Sequence, residues 1–202
     1  MPRSSRSQTE ATRALIVAAA SRLFRQHGID AVSVPQVMAE VGMTHGGFYS
    51  HFPSKGALAA EACSHAFRQT EELREDWTDG PGGNRTLQAF IDRYLSSAHR
   101  DHPERGCPAV AMATDIARAG PGTACHPAYV EGTRALAGEI HGLAPRNDEQ
   151  ARPALATLCL LAGALALSRA ANGDPLSDAV LEAAADSLGR RKPSDAPADA
   201  AN

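Results

Sequence analysis

The stretch THGGFYSHFPSK, residues 44–55, places two adjacent glycines before a group of aromatic side chains and ends on a lysine. Thr44 suits the N-cap of a short helix, and Pro53 limits how far that helix can run. Phe48 and Phe52 are four residues apart, so in a helix they share one face. We therefore expect a helix of about two turns that buries both phenyl rings and leaves the glycines open at its start.

The residues before this stretch predict a second short helix. Ser33 and Gln36 have the spacing of a capping box, and Pro35 is tolerated in a first helical turn. A helix over 34–40 would then be broken at Gly42. Two short helices joined by such a turn are typical of the helix-turn-helix motif, whose second helix lies in the major groove of DNA.

Longer helices are predicted on both sides of this motif. One runs over 9–27 and ends at Gly28, and Ser54 caps another that extends to about Trp77. Further segments of helical length and period lie between loop-like clusters at 79–84, 119–123, 144–148 and 172–175. The predicted fold class is all-α, with an N-terminal three-helix helix-turn-helix domain and a C-terminal helical domain.

We expect domain boundaries at 1–54, 55–189 and 190–202, with a disordered basic N-terminal arm over 1–8 and a disordered tail. The last two helices, predicted over 148–171 and 176–188, carry apolar side chains among many alanines: Leu155, Leu158, Leu161, Leu165, Val180, Leu181 and Leu188. These residues suit either a four-helix dimer interface or a purely intramolecular core.

The charges are distributed unevenly along the chain. The net charge is -3, yet the first 56 residues hold six basic and three acidic side chains, so the remainder is acidic. A polyanion is therefore expected to bind at the N-terminal end. Four cysteines without regular spacing predict free thiols and a reducing compartment. The apolar run 154–167 is shorter than the roughly 20 residues that cross a bilayer, so we expect a soluble, cytoplasmic protein.

Residues 28–62, GIDAVSVPQVMAEVGMTHGGFYSHFPSKGALAAEA, resemble the DNA-binding segment of the TetR family of one-component transcriptional regulators. The Phe48-Tyr49 pair, Phe52 and Lys55 stand at that family's spacing. The resemblance implies a homodimer with two N-terminal reading heads for palindromic operator DNA. It also implies a C-terminal helical body that binds a small-molecule effector and dimerises.

The chemistry of the 44–55 stretch suits a DNA contact. Bare backbone at Gly46 and Gly47 permits close approach to a base edge, and the polar groups of Tyr49, His51 and Lys55 suit phosphate oxygens. The resemblance further implies base contacts from His45 and Gly47 and a phosphate contact from Thr44, while Pro35 and Met38 depart from the family pattern. The candidate DNA-binding residues are Ser33, Thr44, His45, Gly46, Gly47, Tyr49, His51 and Lys55.

Effector-binding candidates are apolar or reactive side chains of the predicted C-terminal domain: Trp77, Phe90, Tyr94, Cys107, Met112 and Ile116. Cys107 precedes Pro108, which favours a helix N-terminus, where the helix dipole and Arg105 would lower the pKa of the thiol. Placed after a glycine, Cys107 also resembles the cysteine of TetR-type regulators that sense electrophiles or oxidants. The alternative is an inert buried thiol.

These observations predict a ligand- or redox-responsive regulator, most simply a repressor. The alternatives are an activator or nucleoid-type binder, and a cysteine-dependent enzyme or thiol carrier built on a helical bundle. The sequence contains no G-x-S-x-G, P-loop or H-E-x-x-H motif, which argues against an enzyme. His99 and His102 lack a convincing third ligand, so we expect neither a metal nor a cofactor.

Overall fold

The structure, a computed structural model, describes residues 3–75, 77, 86–144 and 153–189. Over these residues the chain forms helices and no strand, which confirms the all-α prediction. The first elements are α1 (Arg3–His27), α2 (Val34–Glu40), a 3-10 helix over His45–Ser50, named the 45–50 segment below, and α3 (Lys55–Glu75). The later elements are α4 (Leu87–Tyr94), α5 (Ser97–Asp101), a 3-10 turn (Pro103–Arg105), α6 (Pro108–Ala111), α7 (Ala113–Ala119), α8 (Cys125–Leu143), α9 (Ala154–Ala170) and α10 (Leu176–Ser187).

The structure confirms the predicted end of α1 but not its predicted start. The helix begins at Arg3 rather than near Thr9, so it continues through residues that were expected to be disordered. It ends at His27 as predicted, and Gly28 follows with φ +87°, a conformation that favours glycine.

The capping prediction for α2 is confirmed. The Ser33 hydroxyl accepts the Gln36 amide N–H at 3.4 Å, and the Gln36 side chain accepts the Ser33 N–H at 2.7 Å. The next element differs from the expectation, because Thr44 occupies the N-cap position without a side-chain cap bond and the helix is 3-10. Ser54 does cap α3, accepting the Ala57 N–H at 3.1 Å.

The helices divide into two compact units. Unit 1 comprises residues 1–76 and 101–139, and unit 2 comprises 77–100 and 140–202. The domain boundaries expected after residues 54 and 189 stay a prediction, and the tail 190–202 lies outside the described residues.

In unit 1, α1 packs against α3 and α2 against the 45–50 segment. The side chains of Ile16, Phe24, Phe48, Phe52 and Leu58 are buried between these elements. Burial of such large apolar groups is the main favourable term in folding, and it fixes the position of the 45–50 segment on the rest of the unit.

In unit 2, α9 packs against α10. Leu158, Leu161, Leu165 and Leu181 are buried, whereas Leu155 stays exposed. The Ser168 hydroxyl donates to the Ser177 carbonyl oxygen at 2.8 Å, which satisfies a polar group inside this helix pair. Across the described residues, none of the helices has the length and apolar character that crossing a membrane requires.

Candidate functional site

The 45–50 segment is anchored from behind by two aromatic rings. Phe48 is fully buried and Phe52 nearly so, and their rings stack with centroids 5.7 Å apart. The guanidinium of Arg13, on α1, lies 4.3 Å from the centroid of the Phe52 ring, a distance at which a cation is attracted to an aromatic face. The predicted burial of both rings is confirmed, and it orients the opposite face of the segment outward.

The outward face carries polar and aromatic groups. Tyr49 is 65% exposed, and its ring meets the His45 ring edge-on with centroids 5.8 Å apart. All eight candidate DNA-binding residues lie in unit 1 and reach the surface: Ser33, Thr44, His45, Gly46 and Tyr49 are exposed, while Gly47, His51 and Lys55 are half-exposed. These residues lie at the N-cap of α2, in and next to the 45–50 segment, and at the start of α3.

Two of these residues already have partners within the chain. The Ser33 hydroxyl participates in the capping box of α2, where it also donates to Gln36 Oε1 at 2.8 Å. The Lys55 ammonium donates to the backbone oxygen of Asp30 at 3.3 Å, which holds it beside the turn between α1 and α2. Because that partner is a neutral carbonyl, Lys55 retains a positive charge that a phosphate group could meet.

Arg25 and Asp115 tie α1 to the rest of unit 1, and sequence reasoning missed both. Arg25 is 3% exposed and donates to the carbonyl oxygens of Ser21 and Gly106 and to Gln69 Oε1. Its burial lowers the pKa of the guanidinium to about 10. Asp115, on α7, accepts the backbone N–H of Ile29 at 2.6 Å. Their partners lie far away in sequence, so no local pattern indicates them.

The six effector candidates divide between the two units. Trp77, Phe90 and Tyr94 form an aromatic cluster in unit 2, with centroids 5.6 Å apart for Trp77 and Phe90 and 5.7 Å apart for Phe90 and Tyr94. Cys107, Met112 and Ile116 are buried in unit 1. The assignment of an effector to these residues stays a prediction.

Ile116 also lines a cavity of about 200 Å³ in unit 1, named the α7 cavity below. Its walls come from the turn after α1, the start of α3, α7 and the chain that leads into α8, and they include Lys55, Asp115 and Cys125. Cys107 occupies the N-cap position of α6, as predicted, but makes no side-chain cap bond. Arg105 is 77% exposed on its side chain and lies 3.9 Å from the Glu104 carboxylate.

Residues 16–62 match the sequence model of the family described as bacterial regulatory proteins, tetR family. This match spans α2, the 45–50 segment and the parts of α1 and α3 that pack around them. Over residues 16–62 the chain is therefore similar to the TetR family.

Curated relatives and solved structures extend the comparison. The uncharacterized HTH-type transcriptional regulator YerO of Bacillus subtilis is 31% identical over 70 residues, covering 33% of this chain and 24% of YerO. YxaF, a regulator of the same description and organism, is 29% identical over 108 residues, covering 52% of this chain and 56% of YxaF. The chain therefore spans between a quarter and just over half of these relatives.

A TetR transcriptional regulator from Chloroflexus aurantiacus has a similar fold. Its crystal structure superposes with a TM-score of 0.70 at 24% identity, covering 90% of this chain and 94% of that one. At this identity the likeness concerns the fold alone. It confirms an N-terminal helix-turn-helix followed by a helical C-terminal domain as the architecture of this chain.

Proposed function

We propose that this chain is a TetR-type transcriptional regulator that binds palindromic operator DNA as a homodimer. In its simplest form it is a repressor that a small-molecule effector releases. The observation that carries this proposal is the outward face of the 45–50 segment, where exposed His45 and Tyr49 stand on a support of buried Phe48 and Phe52.

The adjacent glycines support a DNA-binding role because packing does not require them. Neither Gly46 nor Gly47 is among the described glycines with positive φ. A Cβ atom at Gly46 would meet nothing within 4 Å, and one at Gly47 would make ordinary contacts with the methionine side chains Met43 and Met38. Folding alone would tolerate alanine at both positions. We therefore attribute the two glycines to close approach of the backbone to a base edge, which a side chain would hinder.

Phosphate contacts would come from the edges of the same face. Tyr49 offers a hydroxyl, His51 an imidazole and Lys55 an ammonium, and all three reach the surface. Hydrogen bonds to phosphates fix the register of a protein on the duplex, while contacts to base edges carry sequence information. His45 and the two glycines are therefore the residues that we expect to read bases.

A second copy of the chain is expected on unit 2. Leu155, Leu167 and Leu176, on α9 and α10, are between 58% and 65% exposed. Large exposed leucines on a packed helix pair favour association, because their burial removes apolar surface from water. A homodimer would place two reading heads on half-sites about 34–36 Å apart, one turn of the double helix.

An effector is expected to bind the C-terminal residues named above, of which the ring cluster of Trp77, Phe90 and Tyr94 offers the largest aromatic surface. An effector changes operator affinity only by as much as its own affinity differs between the two arrangements of the heads. Release by the effector therefore requires that it bind the DNA-free arrangement more tightly.

Selection of duplexes from a random library by the full-length protein tests the proposal. The expected result is an inverted repeat that the protein binds with an affinity steeply dependent on salt. The variant His45→Ala is expected to change the preferred bases, whereas His27→Ala, at an exposed histidine that ends α1, should leave them unchanged. An unchanged preference in His45→Ala would remove His45 from the base-reading set, and a failure to enrich any repeat would contradict the proposal.

A further inference from the structure

Two of the four cysteines meet inside unit 1. Cys63, in the middle of α3, is fully buried, and Cys125, the first residue of α8, is 5% exposed. The thiol of Cys125 donates to the backbone oxygen of Ala59 at 3.5 Å, one helical turn before Cys63 on α3. This bond places the Cys125 side chain beside the turn of α3 that carries Cys63, and a hydrogen bond between the two thiols shifts the pKa of each. The two thiols are thus in direct contact across α3 and α8.

One residue of this pair lines a cavity. Cys125 lines the α7 cavity of about 200 Å³, and Cys63 does not. A small molecule that enters the cavity would therefore meet Cys125 first, while Cys63 lies behind it in the core. The cavity is also lined by Thr123 and Lys55, which give it polar groups beside the apolar side chain of Ile116.

The environment of the two thiols assigns them different roles. The hydrogen bond donated by Cys63 lowers the pKa of the Cys125 thiol, and the same bond together with burial raises the pKa of the Cys63 thiol. Cys125 also begins a 19-residue helix, and a helix N-terminus stabilises a thiolate. Cys125, which lines the cavity, is therefore the better nucleophile, and Cys63 keeps its proton until Cys125 has been oxidised.

We propose that Cys63 and Cys125 form a redox-sensitive dithiol, which hydroperoxides entering the α7 cavity oxidise to an intramolecular disulfide that joins α3 to α8. In the first step the Cys125 thiolate attacks the peroxide, so that an S–O bond forms, the O–O bond breaks and the leaving oxygen takes up a proton. The product is a sulfenic acid on Cys125 and water, or an alcohol when the peroxide is organic.

In the second step the Cys63 sulfur attacks the Cys125 sulfur. The S–S bond forms, the S–O bond breaks, and the departing hydroxide leaves as water with the proton of the Cys63 thiol. Overall the two thiols lose a pair of electrons and a pair of protons, and the peroxide gains them. A thiol reductant reverses the change by thiol–disulfide exchange.

The regulatory consequence rests on the proposed function. α3 follows directly after the 45–50 segment and carries Lys55, so a covalent link between α3 and α8 changes the element that supports the DNA-binding face. Bonding two sulfurs that are in non-bonded contact draws the two helices together. Because the Phe67 ring already packs tightly against Gly132 of α8, α3 has to shift, and we expect weaker operator binding.

Peptide mapping of the full-length protein tests the dithiol. Tryptic cleavage places Cys63 in peptide 56–68 and Cys125 in peptide 119–134, and each peptide holds a single cysteine. After treatment of the folded protein with hydrogen peroxide, alkylation and digestion without reductant, we expect one species that contains both peptides and that dithiothreitol separates. Peptides that remain separate after treatment, with both cysteines alkylated or over-oxidised, would overturn the proposal.

Cysteine variants test whether the disulfide is specific to Cys63 and Cys125. Cys159→Ser, at an exposed cysteine, should form the linked peptide at the wild-type yield. Cys63→Ala should instead accumulate a sulfenic acid on Cys125 that dimedone traps. Linkage of Cys125 to any cysteine other than Cys63 would contradict the assignment. Circular dichroism before and after oxidation checks that each protein is folded.

Binding to a selected duplex then tests the regulatory step separately. We expect oxidation to weaken binding at least ten-fold, reductant to restore it, and Cys63→Ala to abolish the response to peroxide. A linked peptide with unchanged affinity would overturn the regulatory role of the dithiol. A reduced protein that binds no duplex would contradict the proposed function instead, while the linked peptide would still support the dithiol.

Discussion

At the scale of single residues, the approach of α3 to α8 depends on the absence of a side chain at position 132. A Cβ atom built on Gly132 would lie 2.2 Å from Cδ2 of the Phe67 ring, far closer than atoms pack in proteins. We predict that Gly132→Ala destabilises the protein by about 1–3 kcal/mol, the usual cost of overpacking a core. The midpoint of urea-induced unfolding, followed by circular dichroism, measures this change.

Gly138, in the same helix, provides the matched control. A Cβ atom there would meet nothing within 4 Å, so Gly138→Ala should leave stability unchanged or raise it by up to about 1 kcal/mol through helix propensity. Equal midpoints for the two alanine variants would show that the contact between Phe67 and Gly132 is looser than the structure indicates.

Asp115 carries a second prediction at this scale. Its carboxylate accepts the Ile29 N–H at 2.6 Å, just after α1 ends. In Asp115→Ala this partly buried donor loses its partner, and we expect a loss of about 1–3 kcal/mol. Asp115→Asn keeps an acceptor oxygen and should recover most of the stability. An asparagine variant as unstable as the alanine variant would show that the charge, and not the hydrogen bond, stabilises this turn.

The burial of Phe48 and Phe52 was predictable from the sequence and the contact of Asp115 was not, for a physical reason. Burial of Phe48 and Phe52 follows from their spacing within a single turn of chain, so the sequence was sufficient to predict it. Asp115 meets Ile29 across a separation of 86 residues, and no local pattern encodes such a contact. The same holds for Cys63 and Cys125, whose spacing matches no known framework.

At the scale of helices, the caps of α2 and the 45–50 segment differ although both are preceded by a hydroxyl residue. Ser33 forms a capping box, whereas Thr44 makes no side-chain cap bond. We predict that Ser33→Ala costs about 0.5–2 kcal/mol of stability. Thr44→Ala should stay within about 0.5 kcal/mol of the wild-type protein, as surface substitutions usually do. Thermal unfolding of the two variants side by side measures the difference, and an equally large loss in Thr44→Ala would contradict the assignment of the caps.

A buried ion pair also connects α3 to α8. Arg74 Nε and Nη2 lie 2.9 and 2.8 Å from Glu139 Oε2, and both side chains are largely shielded from water. We predict that Glu139→Leu destabilises the protein by about 3–5 kcal/mol, because it leaves the Arg74 guanidinium buried without this partner. The double variant with Arg74→Met should recover stability in chemical denaturation. Failure of the second substitution to recover stability would show that Glu139 acts mainly through other contacts.

The elements were predictable where local signals are strong. The bounds of α2, the end of α1 at Gly28 and the Ser54 cap of α3 all follow from capping and breaker residues. The start of α1 at Arg3 was not predictable, because residues 3–8 contain little apolar surface to indicate a helix. The 45–50 segment is a 3-10 helix, which hydrophobic spacing does not distinguish from a short α-helix.

At the scale of the whole molecule, the charge distribution matters more than the net charge of -3. The N-terminal 56 residues are basic and the remainder is acidic, so DNA is expected to approach the N-terminal face. We predict that operator affinity falls steeply with salt, and that Lys55→Ala lowers the slope of log affinity against log salt by about 1. Fluorescence anisotropy over a range of potassium chloride concentrations measures the slope. An unchanged slope in Lys55→Ala would remove this residue from the phosphate contacts.

We propose above that the outward face of the 45–50 segment contacts duplex DNA. Hydroxyl-radical footprinting of the protein on a selected duplex, by mass spectrometry with and without DNA, tests it most directly, because the exposed Tyr49 is reactive and reports its own solvent access. We expect DNA to protect Tyr49 and His45, while Leu73, an exposed side chain of α3, stays equally reactive. Protection elsewhere on the chain, with Tyr49 and His45 unprotected in a saturated complex, would contradict it.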